Sequence, residues 1–242
     1  MNAFYSLENF QNKNLWINFP KFDKNSQPME ETWRNAGWDW LQKELKDKDN
    51  EIQDGVLYPR YWRDPRFGAN RRHAPVVGVS WYEANAYCNW LKENYENLPE
   101  YTSLSSFIFP SNEFIFRLPL GAEWTLAAGG EQNDRFAFGE LKNIKEELPK
   151  YANTSESNIN RTTPVWMYPQ GKSPHGLMDM TGNVWEWQAN YNNVGDNWLG
   201  LRGGSWNLDG VLARVAFRSN RFPHYWSNVI GFRVCAYSLP NG

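Results

Sequence analysis

Leu201-Arg-Gly-Gly-Ser-Trp206 and Ile230-Gly-Phe-Arg-Val234 set the architecture of this 242-residue chain, because they bracket a segment of quite different character. Gly203 and Gly204 permit backbone angles closed to other residues. Ile230, Phe232 and Val234 alternate with Gly231 and Arg233, as in a half-buried strand. Between the two motifs run Asn207-Leu-Asp-Gly-Val-Leu212 and Ser219-Asn-Arg-Phe-Pro-His-Tyr-Trp-Ser-Asn-Val229, which mix aromatic, basic, hydroxyl and amide groups with no helix or strand period. That mixture suits recognition better than packing.

Working outward, residues 131–175 are polar and loop-like, without repeat or low-complexity tract, and close on Gly176-Leu-Met-Asp-Met-Thr-Gly-Asn-Val-Trp-Glu-Trp187. A helix is predicted over Gly121–Ala128, stopped by Gly129-Gly130. Val76-Val-Gly-Val79 leads into Ser80-Trp-Tyr-Glu83, a capping box whose hydroxyl and carboxylate satisfy reciprocal backbone donors, so another helix is predicted from there to about Tyr95. Tyr87, Trp90 and Leu91, with Ala84 beside them, form its inner face, and Asn85, Asn89, Lys92 and Glu93 are assigned to water. Tyr58-Pro-Arg-Tyr-Trp-Arg-Asp-Pro-Arg-Phe67 reads as a fixed loop held by guanidinium–aromatic stacking. Trp33, Ala36, Gly37, Trp40, Leu41 and Leu45 recur at helical spacing between Met29 and Leu45, and 46–54 reads as a charged, exposed exit. Residues 1–28 show no clear period and are expected to form an irregular arm.

Composition narrows the function classes. The chain is 41% apolar and long enough to bury one full core. Fourteen tryptophans allow a loop-rich fold to be held by large rings instead of long regular elements. A formal net charge of −2 and the lack of any useful basic run argue against nucleic acid or an acidic membrane as partner. Cys88 and Cys235 are read as reduced core thiols. The first residues carry neither a basic leader nor an apolar run, and no segment approaches the length of a membrane span, so the expected compartment is the cytoplasm. Asn153-Thr-Ser and Asn160-Arg-Thr match the glycosylation sequon, which has no meaning there.

Five ordered landmarks carry a family resemblance: Val77-Gly-Val-Ser-Trp-Tyr-Glu-Ala84; Arg117-Leu-Pro119 with Ala122-Glu-Trp124; Asp179-Met-Thr-Gly-Asn-Val-Trp-Glu-Trp187; Arg202-Gly-Gly-Ser-Trp206; and Ile230-Gly-Phe-Arg233. Over roughly residues 55–236 the chain resembles the formylglycine-generating enzyme, or sulfatase-modifying factor, family. The resemblance implies an α+β fold, a C-type lectin variant with two main helices, a small twisted antiparallel sheet and long structured loops. It implies one domain over 1–242, with 1–54 an atypical N-terminal part; the family's Met-Gly and Pro-Val-Thr motifs have no counterpart here.

Activity has to be argued from the site, because one fold hosts many functions. The family's oxidase uses two cysteines just after the Gly-Gly-Ser-aromatic motif to bind copper, a soft ion that calls for thiolates. The matching positions here fall at about Leu208 and Ala213, so that chemistry and its copper are not expected. An iron site of the sulfoxide-synthase type would need clustered histidines, but His73, His175 and His224 are far apart in sequence. No nucleophile–base pair or phosphate loop is legible.

The last segment resembles the variable proteins of diversity-generating retroelements, in which adenines of asparagine codons are mutated to vary one lectin-like face. Randomising the first two bases of such codons reaches every amino acid except Gln, Glu, Lys, Met and Trp. Leu208, Asp209, Gly210, Val211, Leu212, Ser219, Asn220, Arg221, Phe222, His224, Tyr225, Ser227, Asn228 and Val229 all obey that restriction. These are the expected ligand-binding residues, within a variable region of 207–235, and their partner is expected to be a protein or peptide. Pro223 and Trp226 are expected to hold the loop's shape. The alternatives are an undiversified accessory domain of the same family and, behind it, a residual oxidoreductase. The resemblance also implies a structural calcium at Asp179, Gly182, Val184 and Glu186, where carboxylates flank backbone carbonyls, and a second at Asn153, Thr154, Ser157 and Ile159, with Ser157 standing where a carboxylate belongs.

Overall fold

The structure is a computed structural model that describes residues 3–98, 114–130, 135–191 and 197–238; residues 131–134 of the polar loop lie outside them. At its centre are the helix α3 (Trp81–Asn94) and the strands β6 (Trp185–Tyr191) and β7 (Leu199–Arg202). Before α3 the chain forms α1 (Leu7–Gln11), β1 (Pro20–Phe22), β2 (Pro28–Thr32), α2 (Ala36–Glu44), β3 (Ile52–Gln53) and β4 (Val56–Leu57). After it come β5 (Phe114–Arg117), α4 (Gly121–Ala127) and α5 (Ile144–Glu147), and beyond β7 lie β8 (Ser219–Arg221), β9 (Ile230–Gly231) and β10 (Cys235–Ser238).

The central sheet runs β8-β7-β6-β9. β7 is antiparallel to both β6 and β8, but β9 is parallel to β6, with Trp185 opposite Ile230, so the sheet is mixed and not the purely antiparallel one expected. Its two faces differ, as the two-residue period of a strand demands. Trp185, Trp187, Ala189, Leu199 and Leu201 enter the main core, which they share with Trp16, Trp40, Trp81 and Trp90. Glu186, Gln188, Asn190, Gly200 and Arg202 alternate with them and make a polar face. The tryptophans also act as hydrogen-bond ties: the indole of Trp81 donates to the Gln188 carbonyl at 2.9 Å and that of Trp187 to the Val79 carbonyl at 3.1 Å. Each docks α3 or its approach onto β6 without stranding a polar atom.

The capping box forms as read. Ser80 Oγ accepts from the Glu83 N–H at 3.2 Å, and Glu83 Oε2 accepts from the Ser80 N–H at 2.8 Å. α4 ends where the glycines stand, Gly129 at φ 101° and Gly130 at φ 85°. Gly203 and Gly204 likewise take positive φ, and a Cβ on Gly204 would lie 2.7 Å from Ala213.

Four expectations are corrected. The segment expected to be an irregular arm instead joins the core: among its described residues Phe4, Phe10, Leu15, Trp16 and Phe19 are all buried. The helix expected from Met29 starts at Ala36, because Asp23 Oδ1 accepts from the N–H groups of Asn25 and Gln27 at 2.8 Å and folds 20–32 into a hairpin. Asn85 and Asn89 do not face water, since the N-terminal segment packs over that side of α3. Asn89 donates to the Leu15 carbonyl at 3.0 Å, and buried Asn85 donates to the Trp81 carbonyl at 2.8 Å. The strand expected through Val234 stops at Gly231, because Arg233 turns inward to Glu186 and the chain leaves to pair with β5 as β10.

Candidate functional site

The stretch between the Gly203-Gly204 turn and β9 is anchored by its main chain. The carbonyl of Leu208 accepts from the Ser155 N–H at 2.9 Å, that of Pro223 from Trp81 at 3.0 Å, that of Ser227 from Gly78 at 3.0 Å and that of Val229 from Trp185 at 2.8 Å. β8 is paired along β7, and the Trp206 indole donates to the Asn228 carbonyl at 3.2 Å, tying the first half of the segment to the second. With the backbone fixed this way, many side chains are left outside. Val211, Phe222 and Tyr225 are 44%, 42% and 41% exposed, and Asp209, Arg221 and His224 are exposed as well. Leu212, Ser219, Asn220, Ser227, Asn228 and Val229 are half-buried, as is Leu208, which packs on the main core together with Val229.

The structure draws one group of these residues together. The rings of Phe222 and His224 lie 5.7 Å apart and 7° from parallel, and the Arg221 guanidinium sits 5.4 Å from the Tyr225 ring. Trp198 stands 4.5 Å from Phe222 on the other side. Pro223 is buried, and Trp226 is exposed, with the Arg60 guanidinium 5.0 Å from its ring and Tyr61 at its edge. Arg60 is itself held by Glu44, with Glu83 at 3.9 Å. The role of Trp198 was not legible, because it lies outside the segment. Arg60 and Tyr61 had a signal, the arginine-and-ring composition of their loop.

Two local expectations fail. The segment does carry regular structure: residues 210–213 form a 3-10 turn capped by Asp209, whose Oδ1 accepts from the Val211 N–H at 2.9 Å, and Ser219–Arg221 is a strand. Gly210 is buried and displays nothing. Its N–H donates to Glu156 Oε1 at 2.9 Å, and a Cβ there would stand 2.1 Å from Leu148 Cδ2.

The first calcium set does not fit a cation cage. Both oxygens of Glu186 lie 2.6 Å from guanidinium nitrogens of Arg233, and Oε2 also accepts from the Trp124 indole at 2.7 Å. The carboxylate of Glu186 is thus already engaged by a positive group, and Arg233 is in turn fixed by the Met178 carbonyl at 3.1 Å. Asp179 points to Asn183 Nδ2 at 2.8 Å, and burial pushes its carboxyl up to about 7. The second set does not fit either. The Ser157 hydroxyl makes close contacts to Asn153 Oδ1 at 2.9 Å and the Thr154 carbonyl at 2.8 Å, and Ser157 and its three companions bring no carboxylate. Among the described residues no three His, Cys, Asp or Glu side chains group as metal ligands. Asn153 is wholly buried, so its sequon is inaccessible.

At the positions matching the oxidase cysteines, Leu208 packs on the core and Ala213 is buried under Gly204. The two real thiols are elsewhere: Cys88 on α3, its ionisation strongly opposed by burial, and Cys235 on β10. His73 contacts the Trp166 ring and His224 the Phe222 ring.

Residues 35–237 match the family model described as sulfatase-modifying factor enzyme 1-like domain. The chain is 30% identical over 228 residues to the inactive C-alpha-formylglycine-generating enzyme 2 of Mus musculus, covering 85% of this chain and 65% of that one. It is 33% identical over 208 residues to the formylglycine-generating enzyme of Streptomyces coelicolor, covering 73% and 58%. It therefore spans less than two thirds of the length of either curated relative. Among solved structures, Treponema denticola variable protein 1 superposes with a TM-score of 0.54 at 27% identity, over 68% of this chain and 71% of that one. The curled mixed sheet with few helices is the C-type lectin-like fold, and the chain belongs to the sulfatase-modifying factor enzyme 1-like family.

Proposed function

We propose that this chain is a non-catalytic, cytoplasmic binding protein that displays a diversified surface, and that its ligand is a protein or peptide. The observation that carries this reading is the division of labour in 207–229. Main-chain carbonyls are bonded to distant scaffold N–H groups, while Val211, Arg221, Phe222, His224 and Tyr225 project to solvent. Side chains held on a fixed backbone can change with little cost to folding, and aromatic and arginine groups provide most of the contact energy in such faces. The likeness to a variable protein and to an inactive relative supports the same reading, as does the residue restriction at the fourteen positions. With Gly210 assigned to packing, thirteen of them remain as the displayed set.

Sequencing the gene's 3′ end and the DNA just downstream tests the proposal. The expected result is a near-copy of the codons for 207–235 that differs only where the copy has adenine. No copy, and no neighbouring reverse transcriptase, would return the segment to an ordinary loop of an accessory domain.

A further inference from the structure

Away from 207–229, a cavity of about 800 Å³ is bordered by the 62–75 loop and α3. Its walls are rings held by other rings. Trp62 is stacked on Tyr58 at 6.0 Å, with Tyr5 at 5.5 Å, and Trp90 is stacked on Tyr87 at 5.7 Å. Arg71 and Arg72 also line the cavity, and no Asp or Glu does among the described residues. The turn that carries them is pinned by its main chain: the N–H of Ala69 donates to the Trp62 carbonyl at 2.8 Å, that of Arg71 to Gly68 at 3.0 Å and that of Ala74 to Arg71 at 3.0 Å. Arg71 spends Nη2 on the Thr162 carbonyl at 3.0 Å, a neutral acceptor that leaves its charge unmatched, and its buried Nε has no partner. Burial, and after it the like charge of Arg161, lowers the pKa of this guanidinium. The Arg72 side chain is exposed and makes no hydrogen bond, ion pair or ring contact among the described residues. Guanidiniums on an aromatic cavity that holds no acid call for an acceptor from outside.

We propose that this cavity binds a small aromatic anion, a flat ring carrying a carboxylate or a phosphate. The ring packs on Trp62 and Trp90, and the anion meets Arg71 and Arg72. A neutral aromatic leaves the guanidiniums unmatched, and an aliphatic anion leaves the rings uncovered. The site does not depend on the display reading, because none of the residues lining it lies in 207–235.

The test is calorimetric titration of the full chain with naphthylacetate, its neutral amide, acetate and naphthyl phosphate. At least one of the two aromatic anions is expected to bind saturably, with the amide and acetate at least about ten-fold weaker. Arg72→Gln changes an exposed side chain without partners, so the variant should keep the parent's melting curve while binding the anion about ten-fold more weakly and the amide as before. Ala74→Phe, checked by its melting curve, fills the cavity and should weaken anion and amide alike. Saturable binding by neither aromatic anion, amide or acetate binding as tightly as the anion, or undiminished affinity in either folded variant would each overturn the proposal. Tighter binding of naphthyl phosphate assigns the site to a phosphorylated ring, and tighter binding of naphthylacetate assigns it to an aromatic carboxylate.

Discussion

Two neighbouring stretches, 179–206 and 207–229, use the same kinds of residue for opposite ends. In the first, side chains carry the structure: Trp187 is wholly buried and bonded to Val79, Asn183 bridges Asp179 and Thr163, and Glu186 holds Arg233 and Trp124. In the second, the main chain carries it, and Phe222, His224 and Tyr225 are free to meet something else. A fold can thus keep one segment tolerant of change only if its neighbours supply the hydrogen bonds its own side chains do not.

The largest effect should come from Glu186→Ala. It strands the Arg233 guanidinium and the Trp124 indole, and the loss read by chemical denaturation should be about 3–5 kcal/mol. A loss below about 1 kcal/mol would make the ion pair dispensable and erase the contrast between the stretches.

The next concerns pH. The Asp179 carboxyl titrates near 7 when folded, above its unfolded value, so its stabilising contribution is complete below the unfolded value and is lost as pH rises through about 7. The full span is worth up to about 4 kcal/mol. Asp179→Asn, which keeps the neutral form, should flatten the melting temperature between pH 4 and 8 and raise it at the alkaline end. An unchanged slope would show that Asp179 is ionised in the native state.

Within 207–229, Gly210→Val should cost roughly 1–3 kcal/mol because of the Leu148 contact, unlike its neighbours. A melting curve matching that of Val211→Gly would return Gly210 to the displayed set. Smallest in stability is the combined change Arg221→Ser, Phe222→Ser, His224→Asn and Tyr225→Asn. Each site should shift stability by no more than about 0.5 kcal/mol, while binding of any cognate ligand is abolished. A collapse of the fold would show that these side chains support the scaffold after all.

Much of this was legible beforehand. The Ser80–Glu83 box, the Gly129-Gly130 stop and the unusual backbone angles of Gly203 and Gly204 are local, set by residue type and by partners three residues apart, and all appear where read. The segment 207–229 stood out by its residue types, but its 3-10 turn and the strand β8 were not legible from its lack of period. Illegible were events that depend on distant segments: the N-terminal residues covering α3, Leu148 closing on Gly210, and Trp198 backing Phe222. The engagement of Glu186, one of the expected calcium residues, was illegible for the same reason, since only the folded chain brings Arg233 onto it.

By itself, then, the sequence determined the family fold, the two helices that start at Ser80 and Gly121, the Gly129-Gly130 stop and the absence of the thiol pair at Leu208 and Ala213, because these rest on residue type and short spacing. Tertiary structure alone decided which residues of 207–229 face solvent and that Glu186 meets a guanidinium. Those outcomes depend on which side chains from remote segments arrive first at a shared place, and spacing along the chain carries no record of that.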